Sequence, residues 1–170
     1  MIIRDAKQII EFLKGDGKDY RDRTFQDIIG CSDSTMEKCH DQIQWMFPLH
    51  EESAFASTYP IITKDIVEES KRWGAIKENL VKAKTRMERF YAIGNYHDKD
   101  IQRKWCNERN HNLLRITRII RCLRIFELDG FAENFYLKAL LASKEFLMDD
   151  SLTFSYWKKA LREDVWNSLR

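Results

Sequence analysis

The stretch HNLLRITRIIRCLRIF, residues His111 to Phe126, decides the fold of this sequence. An α-helix turns through about 100° per residue, so residues three and four apart lie on one side of it. The apolar residues of the stretch share one arc in this way: Leu113, Ile116, Ile119, Ile120, Leu123 and Phe126. The pattern predicts a helix with one buried face.

The same apolar spacing recurs along most of the 170 residues. Two prolines and six glycines are few for this length, and these residues most often end helices. Helices are predicted over residues 3–14, 36–47, 64–93, 113–128, 131–148 and from 151 onward, with short ones after Thr24 and Asp98. The sequence therefore predicts an all-α fold, with residues 1–170 forming a single compact domain of about seven helices.

Composition narrows the class of protein. With 44% hydrophobic and 33% charged residues, the chain is typical of a soluble globular protein. Its longest apolar runs are about four residues, far below the ~18 of a membrane span, so we expect at most peripheral membrane association. The four cysteines form no CxxC pair, and the first residues do not read as a signal peptide. Free thiols and a cytoplasmic location are the expectation.

Four arginines, Arg115, Arg118, Arg121 and Arg124, follow one another at intervals of three on the helix opposite the apolar arc. They could bind phosphates or an acidic partner through bidentate contacts. Alternatively they form a solvated face paired with nearby acids such as Glu127, Asp129 and Glu133. The net charge of +2 favours the second interpretation, because it gives little bulk attraction for nucleic acid.

Residues with metal-binding chemistry lie close together in sequence: Cys31, Cys39, His40 and His50. Their spacing matches no zinc finger or ribbon, and the adjacent pair at 39 and 40 would point about 100° apart on a helix. We therefore expect no metal and no other cofactor.

Catalytic patterns are weak. Cys106 and His111 could form a nucleophile and base, but nothing in the sequence indicates a lowered thiol pKa. No GxSxG elbow or glycine-rich phosphate loop occurs. We expect the protein not to be an enzyme.

One aromatic group is not explained by core packing. Trp45 lies about 100° round its predicted helix from Met46, so the two need not share a face. A long loop follows, with Phe55 and Tyr59, and His50 stands just before it. A partly exposed indole beside such a loop would suit a peptide groove, so these residues are the predicted ligand-binding set.

Four segments, HDQIQWMFPL (40–49), YPIITKDIVEE (59–69), MERFYAI (87–93) and NHNLLRITRIIRCLRIFELDGF (110–131), together resemble the conserved region of the opioid growth factor receptor family. The resemblance implies an all-helical domain without catalytic chemistry or cofactor. The family is named for binding an enkephalin-type growth factor and for restraining proliferation, with members at nuclear and perinuclear membranes.

Together these features predict a non-enzymatic module that binds a peptide or protein partner, with opioid-peptide-receptor-like signalling or growth regulation implied by the resemblance. The alternative is nucleic-acid or acidic-partner binding through the four arginines. A third possibility is a structural dimerisation unit, since the sequence leaves the oligomeric state open.

Overall fold

The helices that the sequence predicts form in the structure. The computed structural model describes residues 1–52, 58–148 and 150–169. In chain order the elements are β1 (Ile2–Ile3), α1 (Ala6–Lys14), α2 (Phe25–Gly30), α3 (Asp33–Lys38), α4 (His40–Met46), β2 (Tyr59–Pro60), α5 (Lys64–Ser70), α6 (Gly74–Phe90), a 3-10 turn (Gly94–Tyr96), α7 (Lys99–Trp105), α8 (His111–Ile125), α9 (Asp129–Ser143), α10 (Leu152–Arg162) and α11 (Val165–Ser168). The all-α prediction is confirmed.

Short-range hydrogen bonds fix where several helices begin. The Thr24 hydroxyl accepts from the backbone N–H of Asp27, whose carboxylate accepts from the backbone N–H of Thr24, a capping box at the start of α2. The Asp98 carboxylate accepts from the N–H groups of Asp100 and Ile101 at the start of α7. Both caps stand where the sequence predicts them.

Three predicted helices are divided, which gives more helices than the seven expected in the part of the chain that the structure describes. The helix predicted over 36–47 breaks at Cys39, whose backbone angles (φ −95°, ψ 89°) are not helical. The one predicted over 64–93 is interrupted between α5 and α6 by a turn in which the Trp73 N–H donates to the Ser70 carbonyl. The one predicted from residue 151 onward ends at Arg162, because Glu163 has an extended backbone, and α11 follows it. Apolar spacing continues across all three breaks, so periodicity alone could not reveal them.

The start of the chain also differs from prediction. Ile2 and Ile3 form strand β1, which pairs in parallel with β2 in the register Ile2 to Tyr59 and Ile3 to Pro60. The first helix therefore begins at Ala6, and the Asp5 carboxylate caps it by accepting from the Gln8 N–H. Strands of two residues are too short to show the alternating pattern by which strands are predicted.

The chain's contacts divide it into two compact units: Met1–Ala83 with Val165–Arg170, and Lys84–Asp164. The prediction that residues 1–170 form one domain stays a prediction. In the first unit, α4 packs against α2, α3 and β2, and α1 packs against α2 and α5. Its aromatic centre is Phe12, whose ring centroid lies 5.6 Å from that of Phe25 and 4.9 Å from that of Trp45.

The second unit is built round α8, which contacts α7, α9 and α10. Its predicted apolar arc is buried. The Trp157 indole N–H donates to the Leu113 carbonyl at 3.0 Å, which ties α10 to α8. The Trp105 indole N–H donates to the Tyr91 carbonyl at 2.9 Å and ties α7 to the chain after α6. None of the described helices has both the length and the apolar composition that crossing a membrane requires.

Candidate functional site

The first unit holds the described members of the predicted ligand-binding set, Trp45, His50 and Tyr59, and Trp45 is not at its surface. The Trp45 side chain is fully buried and packs edge-on against Phe12. The prediction of a partly exposed indole is therefore wrong. Helix α4 is covered on all sides, since residues 41–49 are all buried, and a helix buried all round has no outward face for periodicity to identify.

The other members of that set lie in different environments. Tyr59 is buried in β2, and His50 is half-buried, with its Nε2 3.7 Å from a carboxylate oxygen of Glu51. Phe55 lies outside the described residues. Burial of Trp45 and Tyr59 leaves no exposed aromatic pair at these two positions, and a binding role for His50 or Phe55 stays a prediction.

The four arginines of α8 do not form a solvated face. Arg115 is buried and donates from Nη1 to the Asn112 side-chain oxygen at 3.1 Å. Arg118, Arg121 and Arg124 are half-buried. The expectation of four guanidiniums displayed together towards solvent is therefore wrong.

Two of these arginines bind the end of α10. Arg124 Nη1 donates to the carbonyls of Ala160 at 3.1 Å and Glu163 at 2.6 Å. Arg121 Nε donates to the Glu163 carboxylate. The last carbonyls of a helix lack partners within it, and a cation there also meets the negative end of the helix dipole. Asp129, 3.3 Å from Arg124 Nε, is a partner that the sequence suggested, whereas Glu163 is not.

The reactive-thiol pattern also has a structural explanation. Cys106 is buried, with its Sγ 3.7 Å from the Ser143 hydroxyl oxygen. Burial raises the pKa of the Cys106 thiol to about 12, against the opposing effect of the contact with Ser143. The thiol is therefore protonated at neutral pH and a poor nucleophile. Within residues 1–52, 58–148 and 150–169, no three His, Cys, Asp or Glu side chains are grouped to hold a metal ion.

A surface hollow of about 600 Å³ lies in the second unit, at the start of α9. Its volume is in the range of small-ligand sites. The lining residues are Lys84, Glu127, Leu128, Asp129, Gly130, Phe131 and Asn134. We call this the α9 hollow. Sequence patterns did not single it out as a site.

The wall of the α9 hollow begins where α8 ends. Glu127 has a left-handed backbone (φ 58°), and its N–H donates to the Arg124 carbonyl at 3.0 Å. The next N–H, of Leu128, reaches back to the Leu123 carbonyl at 2.8 Å. These two bonds form a Schellman motif, in which the left-handed position is usually glycine. A glutamate there carries backbone strain, and strain of this kind concentrates at functional sites.

Helix α9 starts without a side-chain cap. Leu128 occupies the N-cap position and makes no capping hydrogen bond from its side chain. Gly130 follows, and a Cβ built on it would meet no atom within 4 Å. Helix N-termini carry partial positive charge and orphan N–H groups, which favour a polar or anionic group nearby.

A buried ion network supports the hollow. Lys84 is 6% exposed, and its ammonium lies 2.8 Å from a Glu88 carboxylate oxygen and 3.2 Å from the Asn134 side-chain oxygen. Lys138 reaches the same Glu88 oxygen at 2.8 Å. The Lys84 ammonium is also 5.8 Å from the ring centroid of Phe131, within cation–π range. The position of Lys84 is thus fixed from several directions.

Chemically, the α9 hollow offers an apolar surface beside fixed charges. Phe131 is 42% exposed, and Glu127 and Asp129 beside it in the lining are exposed, Asp129 in an ion pair with Arg124. An aromatic or aliphatic side chain could cover the ring while an ammonium group meets the carboxylates. An apolar ring beside charged groups is a surface to which a peptide can bind.

Only one sequence signal points towards this place, namely the glycine at position 130 between two predicted helices. Lys84 and Asn134 come from distant parts of the sequence, and no motif links them. Their proximity follows from the packing of the second unit.

Comparison with known proteins identifies the family. The profile of the opioid growth factor receptor (OGFr) conserved region matches residues 31–165. The opioid growth factor receptor of Homo sapiens is 32% identical over 126 residues, which are 65% of this chain and 18% of that protein. The receptor of Mus musculus is 29% identical over 141 residues, 75% of this chain and 22% of that protein.

A third relative, opioid growth factor receptor-like protein 1 of Mus musculus, is 33% identical over 100 residues, 52% of this chain and 21% of that protein. The chain thus spans about a fifth of the length of these relatives. No solved structure matches it. Since the profile match covers well over half of the sequence, the chain belongs to the opioid growth factor receptor conserved-region family.

Proposed function

We propose that the chain is a non-enzymatic binding module for a peptide, or for a peptide segment of a protein, and that it binds this partner in the α9 hollow. The observation that carries the proposal is the exposed Phe131 ring, which lines the hollow together with Glu127 and Asp129 and has the buried Lys84 ammonium 5.8 Å from its centroid. Binding sites commonly combine an aromatic anchor with a few placed polar groups.

The named relatives supply the first ligand to test. Two of them are called opioid growth factor receptors, and that name gives an opioid growth factor as their partner. The same names are the basis for a proposed role of this chain in signalling and growth regulation. Nucleic-acid binding through α8 has less support, because Arg115 is buried and Arg121 and Arg124 bind α10.

Isothermal titration of the full chain with synthetic opioid growth factor tests the proposal. A peptide-display library selected on the same chain tests it more broadly. Phe131→Ala should weaken the affinity of a bound peptide by about tenfold or more, since aromatic anchors often contribute 2 kcal/mol or more. Phe131 is exposed, so this change should leave the fold intact.

Tyr156→Ala is the matched control, because Tyr156 is an exposed aromatic of the same unit and does not line the hollow. It should leave the affinity unchanged. Absence of binding by the growth factor and by every library peptide would overturn the proposal. Equal losses in both variants would exclude the hollow as the site.

The cytoplasm is the proposed location, and the four free cysteines support it, since thiols stay reduced there. A fluorescent fusion in the source cell tests it. Diffuse cytoplasmic signal is expected, and signal confined to the nuclear rim would contradict it.

A further inference from the structure

Helix α9 has a second apolar face that the second unit does not cover. Its inner side is buried through Ala132, Phe135, Ala139 and Ala142. On the opposite side, Leu137 is 47% and Leu141 is 69% exposed. These two leucines are four residues apart, so they are neighbours on the helix surface. Two neighbouring exposed leucines form an apolar ridge, unlike scattered single residues.

The ridge lies in a longer row with the spacing of a helix–helix seam. Steps of four and three residues lead through Gly130, Asn134, Leu137, Leu141 and Lys144, and each of these residues is exposed. Alternating steps of this size are the a/d pattern by which one helix packs lengthwise on another. Apolar residues occupy the middle of the row, whereas its two ends are small or polar. The row therefore fits one short helix contact with a polar rim.

The charged residues beside the row indicate which kind of helix can pack against it. Glu133 and Lys144 are both exposed and stand eleven residues apart, which is about three turns, so they lie on the same flank of α9. In an antiparallel pair related by a two-fold axis, each flank faces the same flank of the other copy. Glu133 of one copy then approaches Lys144 of the other, twice per dimer, while Leu137 meets Leu141.

We propose that a second copy of this chain docks on this face, with the two α9 helices antiparallel about a two-fold axis near residue 139. The face is self-complementary, because it presents an acid at one end and a base at the other, around a central leucine pair. Such a surface is what a symmetric homodimer uses. This inference goes beyond the proposed peptide binding: Leu137, Leu141 and Lys144 lie outside the lining of the hollow, which the row shares at Gly130 and Asn134.

Sedimentation velocity of the full chain, without peptide and over a concentration series, measures the association. A monomer–dimer equilibrium is expected, and Leu141→Glu should shift it to monomer. Leu152→Glu is the matched control, because Leu152 is also 69% exposed but lies on α10. The Leu152→Glu variant should dimerise as strongly as the unchanged chain. Circular dichroism checks that each variant is folded.

Charge exchange makes the test specific for the antiparallel register. Glu133→Lys and Lys144→Glu should each weaken dimerisation by about tenfold, through two repulsive contacts per dimer. An equimolar mixture of the two variants should recover the affinity, because every contact then joins opposite charges. A chain that is monomeric at every concentration, a loss in Leu152→Glu as large as in Leu141→Glu, or a mixture that fails to recover would each overturn the proposal.

Discussion

Two residues of the second unit adopt a left-handed backbone at the same position of a helix end. Glu127 (φ 58°) follows α8, and Ala92 (φ 52°) follows α6. At the second site, the Ile93 N–H donates to the Glu88 carbonyl at 3.0 Å, the same reach-back bond as at α8. A residue with a Cβ is disfavoured in this conformation by about 1–2 kcal/mol. Only Glu127 lines the α9 hollow.

Glu127→Gly should therefore raise the free energy of unfolding by about 0.5 kcal/mol, since relief of the strain exceeds the backbone entropy that glycine adds to the unfolded chain. Urea denaturation measures this. The same change should weaken peptide binding, because it removes a rim carboxylate. Ala92→Gly alters the same backbone conformation away from the hollow and should leave affinity unchanged. A less stable Glu127→Gly variant would show that the glutamate side chain stabilises the turn.

Asp41 is the centre of a charged cluster in the first unit. Arg23 lies 2.6 Å from Asp41 and 2.6 Å from Asp19, and the Tyr20 hydroxyl donates to Asp41 at 2.9 Å. Burial by itself would raise the pKa of the Asp41 carboxyl, but hydrogen bonds from Tyr20 and Arg23 outweigh it and hold this pKa below its ordinary 3.8. The cluster joins the loop after α1 to α4.

A lowered carboxyl pKa stabilises the fold above the ordinary value, and this stabilisation is lost as pH falls through the folded-state pKa. Asp41→Asn should reduce the free energy of unfolding by roughly 1–3 kcal/mol at pH 7. The difference from the unchanged chain should shrink below pH 3.8. Urea denaturation at a series of pH values measures it. Asp100→Asn, at an exposed surface pair, is the control with little effect, and a pH-independent difference for Asp41→Asn would refute the assignment.

At the scale of single residues, sequence patterns predicted what depends on near neighbours. The caps at Thr24 and Asp98 need only residues two or three positions away, and both are confirmed. Burial of Trp45 and Arg115 depends on elements distant in sequence, which cover faces that the pattern leaves open. The sequence pattern therefore places both at the surface, although the structure buries them.

Between elements, Arg124 is a connection that helical periodicity could not predict. It starts on α8 and binds the carbonyls of Ala160 and Glu163 at the end of α10. The spacing of the arginines predicted their common side of α8, but not that α10 ends beside it. Likewise, the breaks before α4 and α6 preserve apolar spacing, so the elements were predicted more reliably than their ends.

Arg124→Met should lower the free energy of unfolding by about 1–3 kcal/mol, because it leaves part-buried carbonyls without their charged donor. It should also speed hydrogen exchange in the last turn of α10. Denaturation and exchange mass spectrometry measure the two effects. Arg103→Met, at a mostly exposed arginine with a 3.7 Å ion pair, is the control and should change stability by less than about 0.5 kcal/mol. Equal effects in the two variants would exclude a specific capping role for Arg124.

At the scale of the molecule, composition and periodicity were enough for the all-α class, and four segment motifs were enough for the family. The site was not predictable in the same way. The α9 hollow joins Lys84 of α6 to the start of α9, and such a juxtaposition is a property of tertiary packing. The predicted aromatic set follows one loop of the sequence, whereas the exposed ring that lines the hollow, with the Lys84 ammonium 5.8 Å from its centroid, is Phe131.

The most direct test of peptide binding in the α9 hollow is two-dimensional NMR of the ¹⁵N-labelled full chain. The chain is titrated with opioid growth factor or with a peptide that the display library selects. Binding in the hollow should perturb the amides of Glu127–Asn134 and of Lys84, with few changes elsewhere. Perturbations centred instead on residues 45–62, or along the arginines of α8, would contradict it and move the site to those residues.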